Sequence, residues 1–128
     1  MNGEGIAGFV SIEEICKKHI RGAVMDVFYL VLTNGNISKA EMIREFLKYD
    51  PDPNAKPSKY RVMVDVAVAK LHGALFIDSW DSGNSAPYFL TQYGKEADQV
   101  LKTMFEEDST ILLLGSKIMA KAMIEEEG

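Results

Sequence analysis

Residues 56–77 leave this chain few ways to fold. They read Lys-Pro-Ser-Lys-Tyr-Arg-Val-Met-Val-Asp-Val-Ala-Val-Ala-Lys-Leu-His-Gly-Ala-Leu-Phe-Ile. Pro57 and Ser58 mark a helix start, Lys59, Tyr60 and Arg61 fill its first turn, and the middle is apolar. The helix is predicted from Ser58 to about His72, with Gly73 as a left-handed cap. It then passes directly into an apolar strand, Leu75 to Trp80. The linker Asp50-Pro51-Asp52-Pro53-Asn54-Ala55-Lys56-Pro57 is expected to be extended, because each of its three prolines biases the preceding residue away from helix. A helix with a basic first turn is thus held between an extended linker and a strand.

The segments before it are helical. Ser11-Ile12-Glu13-Glu14 and Ser38-Lys39-Ala40-Glu41 both have the capping-box pattern, in which serine accepts the N3 amide and glutamate reaches back to the cap amide. The first opens a helix with Ile12, Ile15, Cys16, His19 and Ile20 at helical spacing, and Gly22 is placed to bend or end it. The run 23–32 carries a single charge, Asp26, and is expected to be a buried central helix ended by Asn34-Gly35-Asn36. The second box opens a short helix with the stripe Ala40, Ile43, Phe46 and Leu47.

Beyond the strand from Leu75 to Trp80, Asp81-Ser82-Gly83-Asn84 reads as a turn and residues 85–90 as the return strand of a hairpin. Thr91 caps a helix whose stripe is Tyr93, Ala97, Val100, Leu101 and Met104. A last helix is expected from Asp108 and Ser109 onward, carrying Ile111, Leu112, Leu114, Ile118, Met119 and Met123. It has more apolar surface than one face of a small domain covers. Pairing of this helix with a second copy is therefore the leading expectation, with folding back on the central helix of its own chain as the alternative. The organisation read from the sequence is a lead-in over 1–10, a domain over 11–107, and a C-terminal dimerisation helix over 108–128.

At 128 residues the chain has material for one core. Its composition, 47% apolar and 26% charged, is that of a folded globular domain. No apolar run is long enough to span a bilayer and the N-terminus lacks a signal-peptide pattern, so a cytoplasmic location is expected. Cys16 is the sole cysteine, which excludes an intramolecular disulfide. The net charge of −5 comes wholly from the C-terminal part: 11 basic residues face 11 acidic ones up to Lys95, while the remaining 33 residues hold 3 basic and 8 acidic. Around residues 56–70 the balance is locally basic.

Other chemistries find little support. Asp50-x-Asp52-x-Asn54 resembles the start of a calcium loop, but Ala55 and Arg61 stand where glycine and glutamate are needed. Cys16 and His19 lie one turn apart with no further ligands nearby, so no metal is expected. There is no nucleophile elbow, phosphate-binding glycine loop or His-Glu-x-x-His, hence no enzyme and no cofactor. Met25, Phe28, Tyr29 and Trp80 read as core in preference to a ligand pocket.

The order helix, helix, helix, hairpin, helix resembles the winged helix-turn-helix superfamily. Residues 68–77 are similar to a recognition helix entering the first wing strand. Residues 88–97, Tyr-Phe-Leu-Thr-Gln-Tyr-Gly-Lys-Glu-Ala, are similar to the Leu-Thr-x-x-Gly passage of MarR-like and PadR-like regulators. Added terminal helices also suit TubR-type plasmid-partition adaptors and replication-terminator-like proteins. The resemblance covers roughly residues 22–105 and implies a mainly α fold with a small β-hairpin, a winged helix with an added C-terminal dimerisation helix. It implies a homodimer on double-stranded DNA, acting in transcription, partition or replication. Arg61 would then read a base edge, Ser58 would lie in the same turn, Lys56, Lys59 and Tyr60 would contact phosphates, and Lys39 would add a backbone contact. Residues 62–71 would be mostly scaffold. The linker is longer than a tight turn and the wing tip has two aspartates and no cation, which leaves open a protein-interaction module that does not bind DNA.

Overall fold

The computed structural model describes residues 10–80 and 85–121. The chain order is α1 (Ile12–His19), α2 (Ala23–Asn34), β1 (Asn36–Ser38), α3 (Lys39–Lys48), α4 (Ser58–Gly73), β2 (Ile77–Ser79), β3 (Pro87–Leu90), α5 (Gln92–Glu107) and α6 (Thr110–Leu113). The fold is mainly helical, with a small three-stranded antiparallel sheet.

Side-chain caps set the starts of α1, α3 and α5. Ser38 and Glu41 form the full reciprocal box at α3, with bonds of 3.2 and 3.0 Å. At α1 only half of the expected box forms: Ser11 accepts the Glu14 amide, while the Glu14 carboxylate pairs with Lys18 at 3.0 Å. The Thr91 hydroxyl accepts the Gly94 amide at 2.9 Å and donates to the Leu75 carbonyl at 2.6 Å, which docks the start of α5 on the end of α4. Gly94 is required there, since a Cβ at this position would lie 2.1 Å from the Phe76 carbonyl oxygen.

Two local expectations are corrected. The linker 50–57 is folded, not extended: Asp50 Oδ1 accepts the Asp52 amide at 2.8 Å and Asp52 Oδ1 accepts the Asn54 amide at 2.9 Å, so aspartate side chains build successive turns. At the end of α4 the left-handed residue is Leu75 (φ 67°), not Gly73. Phe76 N donates to Leu71 O and Leu75 N to His72 O, the Schellman pattern, and the paired Phe76 and Leu71 are both fully buried.

The hairpin strands β2 and β3 pair in the register Ile77 with Leu90 and Ser79 with Tyr88. A third strand, β1, adds to the other edge of β3, with Ile37 opposite Tyr88. The sheet order is β1-β3-β2. At three residues β1 is too short to show alternation, so the sequence pattern gave a helix end and a cap there but no strand.

The core lies between α2, α3, α4 and the sheet, with α1 on α5 alongside. Phe28, Phe46, Phe76, Met42 and Leu71 are its large fully buried members. As expected, α2 is central, with Val27, Phe28 and Val31 wholly covered. Met25 and Phe28 are core, but Trp80 is not: it is 83% exposed.

The expected single last helix is broken. After α6 the chain turns at Gly115, whose φ of +84° suits glycine, and helical backbone resumes at residue 119. This resumption is capped from far away. Asp26 of α2, fully buried, accepts from Ser116 Oγ (2.7 Å) and from the amides of Lys117 (2.7 Å), Ile118 (3.2 Å) and Met119 (3.0 Å). A carboxylate at the first turn of a helix satisfies its orphan amides and matches its dipole. Leu112 and Ile118 are buried in their own chain, at 1% and 2% exposure, and Met119 packs against the same core. These three are intramolecular contacts, which corrects their assignment to a dimer seam. Ile111 (52%) and Leu114 (73%) remain exposed, and Met123 lies outside the described residues.

Among the described residues no helix is long and apolar enough to cross a membrane.

Candidate functional site

The buried stripe of α4 is Tyr60, Val64, Ala67, Val68 and Leu71, at i, i+4, i+7, i+8 and i+11. That stripe fixes which residues face outward: Ser58, Arg61, Val62, Asp65, Val66, Ala69 and Lys70. Val62 is 73% and Val66 49% exposed. Residues 62–71 are therefore not simply scaffold, since half of them form an open surface. The sequence signals only that a helix with valines on every side must expose some of them; which ones follows from the buried side that Tyr60 and Val64 take in the fold.

The six residues singled out around this helix have different fates. Arg61, Ser58 and Lys56 are exposed, and among the described residues none of them forms an ion pair. Lys59 Nζ lies 2.6 Å from Asp50 Oδ2, though its side chain is half exposed. Lys39 Nζ lies 3.1 Å from Asp65 Oδ1, which spans the start of α3 and the middle of α4. Tyr60 is only 3% exposed, stacks on Phe46 with ring centroids 5.4 Å apart, and donates its hydroxyl to Asp50. It is a core residue and its assignment to a phosphate is corrected.

Asp50 is the hub of the first turn, and its side chain is fully covered. Hydrogen bonds from Lys59 and Tyr60, followed by the Asp52 amide, hold its carboxyl well below the usual carboxylate range. Burial, then the hydrogen bond to Asp50, pushes the Tyr60 phenol up to about 12. The network ties the linker to α4 and neutralises one of the cations beside Arg61.

The hairpin contributes a second surface that the sequence pattern missed. Trp80 stacks on Phe89 at 4.7 Å with planes 20° apart. Nearby, His72 Nε2 lies 3.3 Å from Asp78 Oδ1, and the His72 ring meets Tyr88 edge-on. An aromatic next to a hairpin turn has no cue in sequence that separates exposure from burial.

Elsewhere, a cleft of 310 Å³ lies between α1, α5 and α6, lined by Lys17, Arg21, Met104 and Ile111 among others. Its cations are already engaged, Lys17 by Glu13 at 2.9 Å and Arg21 by the Lys17 carbonyl. Cys16 is fully buried, and burial followed by Glu13 pushes its thiol up to about 11. Among the described residues no cluster of three or more His, Cys, Asp or Glu side chains could hold a metal. No family model, curated protein or solved structure matches this chain.

Proposed function

We propose that this chain is a winged helix-turn-helix protein that binds double-stranded DNA as a dimer, with α4 entering the major groove and the β2–β3 hairpin as its wing. The succession α2, β1, α3, α4, β2, β3, with sheet order β1-β3-β2, supports that architecture. The observation that carries the reading is the outward face of α4. Arg61 stands exposed at the first turn of a helix that follows α3 and leads into an antiparallel hairpin, where its planar fork can meet guanine O6 and N7. Lys56 and the half-exposed Lys59 are suited to phosphates. Exposed Ile111 and Leu114 supply the apolar contact for a second copy.

Fluorescence anisotropy on duplex DNA across a salt series tests the proposal. Binding should weaken steeply with salt as counterions are released. Arg61→Ala should cost about 1–3 kcal/mol on a cognate duplex, and an unchanged affinity would remove Arg61 from the interface.

One observation favours a second reading, a winged helix turned protein-interaction module. Exposed Trp80 stacks on half-buried Phe89, which lies opposite Asp78 in the sheet, on a chain of net charge −5. Failure to bind any duplex at low salt selects this alternative.

A further inference from the structure

We infer that Asp65 is a specificity-determining residue of the α4 face, accepting a hydrogen bond from the N4 amine of a cytosine. The inference rests on the DNA-binding reading of that face. Asp65 lies mid-helix, one turn after Arg61, with its side chain 53% exposed beside the bare valines Val62 and Val66. A carboxylate repels phosphate, so on the outward face of a groove-reading helix, one turn from a guanine-reading arginine, its partner is a base-edge donor and not the backbone. Of the four bases in the major groove, cytosine presents only a donor, and aspartate or glutamate is its natural acceptor.

The carboxylate is also oriented. Lys39 Nζ engages Oδ1 at 3.1 Å, and among the described residues nothing engages Oδ2, which stays available to an outside donor. Lys39 is thereby drawn from phosphate to the support of Asp65. Four residues of helix advance about 6 Å, against 3.4 Å per base step. With α4 along the groove, the Arg61 guanine and the Asp65 cytosine fall about two columns apart. Val62 and Val66 offer methyl groups to thymines between and beside them.

Parallel selections from a random duplex library, with the whole chain and its Asp65→Asn variant, test this. Asp65 is exposed, so the amide leaves the fold intact. The parent should enrich a motif with a cytosine column, and the variant the same motif with adenine there, because asparagine pairs with adenine N6 and N7. Anisotropy on the two duplexes should show the cytosine-to-adenine preference inverting by roughly 5- to 100-fold. Identical motifs from both proteins, or a variant that simply binds every duplex more tightly, would overturn the role of Asp65 while leaving DNA binding intact. No motif and no duplex binding by the parent would overturn the DNA reading and this inference with it.

Discussion

Replacing Asp26 by alanine should unfold the contact between α2 and residues 116–119. The change deprives four donors of their acceptor: Ser116 Oγ and the amides of Lys117, Ile118 and Met119. If all four stayed dry, each would cost about 1–3 kcal/mol. The segment has a cheaper escape, since it can lift away and give its amides to water. The loss is then bounded by the cap, about 0.5–2 kcal/mol, and by the burial of Ile118, about 1.5–3 kcal/mol. The expected destabilisation is about 2–5 kcal/mol, overlapping the cost of breaking other buried charged contacts. For a domain of this size that lowers Tm by about 6–25 °C. Asp26→Asn keeps one acceptor oxygen but turns an amine toward the amides, and should cost about half as much. Urea unfolding followed by circular dichroism measures both. Ser116→Ala alone and with Asp26→Ala closes a double-mutant cycle, which should be strongly non-additive. A midpoint for Asp26→Ala within about 0.5 kcal/mol of the parent would refute the assignment of Asp26 as the cap.

Other consequences can be measured with equal directness. The phenol of Tyr60 is pushed up from 10.0 to about 12 in the folded chain, so its contribution is complete below pH 10 and is lost as pH rises toward 12; Tyr60→Phe should flatten that alkaline limb. The Asp50 carboxyl is depressed below 3.8, so its contribution is present above pH 4 and fades as pH falls below that value; Asp50→Asn should remove this acid dependence, and an unchanged acid limb would place Asp50 outside the network. Leu75 is left-handed and 66% exposed. Leu75→Gly should therefore raise stability by about 0.5–1 kcal/mol, the relief of the left-handed backbone being partly offset by glycine's freedom in the unfolded chain; a lower urea midpoint would show that the leucine side chain stabilises the turn. At micromolar concentration the chain should sediment at twice 14.2 kDa, and Leu114→Glu at 14.2 kDa; a monomeric parent would end the dimer proposal.

Much of the fold could be read from local chemistry. The Ser11 cap, the Ser38 box, the Thr91 cap and the stripe of α5 are each decided within a few residues, and the starts of α1, α3 and α5 followed. The misreadings involve partners distant in sequence. Tyr60 looked like part of a basic turn because its neighbours are Lys59 and Arg61, yet Phe46 and Asp50 bring its ring and hydroxyl inside. Lys39 and Lys59 read as free cations, since nothing local shows that Asp65 and Asp50 fold against them. The break at Gly115 was hidden in an apolar run that continues helical spacing across it. One clue was on view: a lone aspartate in the most apolar helix must find donors somewhere. Of the α4 face, Arg61 was legible from its place in the first turn. Val62 and Val66 were not, because hydrophobicity alone does not say which valines a helix leaves bare.

The cap on Asp26 also constrains when the molecule can form. Its donors are 90 to 93 residues further along the chain, which a ribosome adds roughly 5–20 s later. Until residue 119 has been made, α2 carries a carboxylate with no donors to receive it, and closing the apolar helix into a dry core leaves that charge unmatched. The nascent chain is thus held from settling early around its most hydrophobic segment, and commits to its core only when both ends of the contact exist.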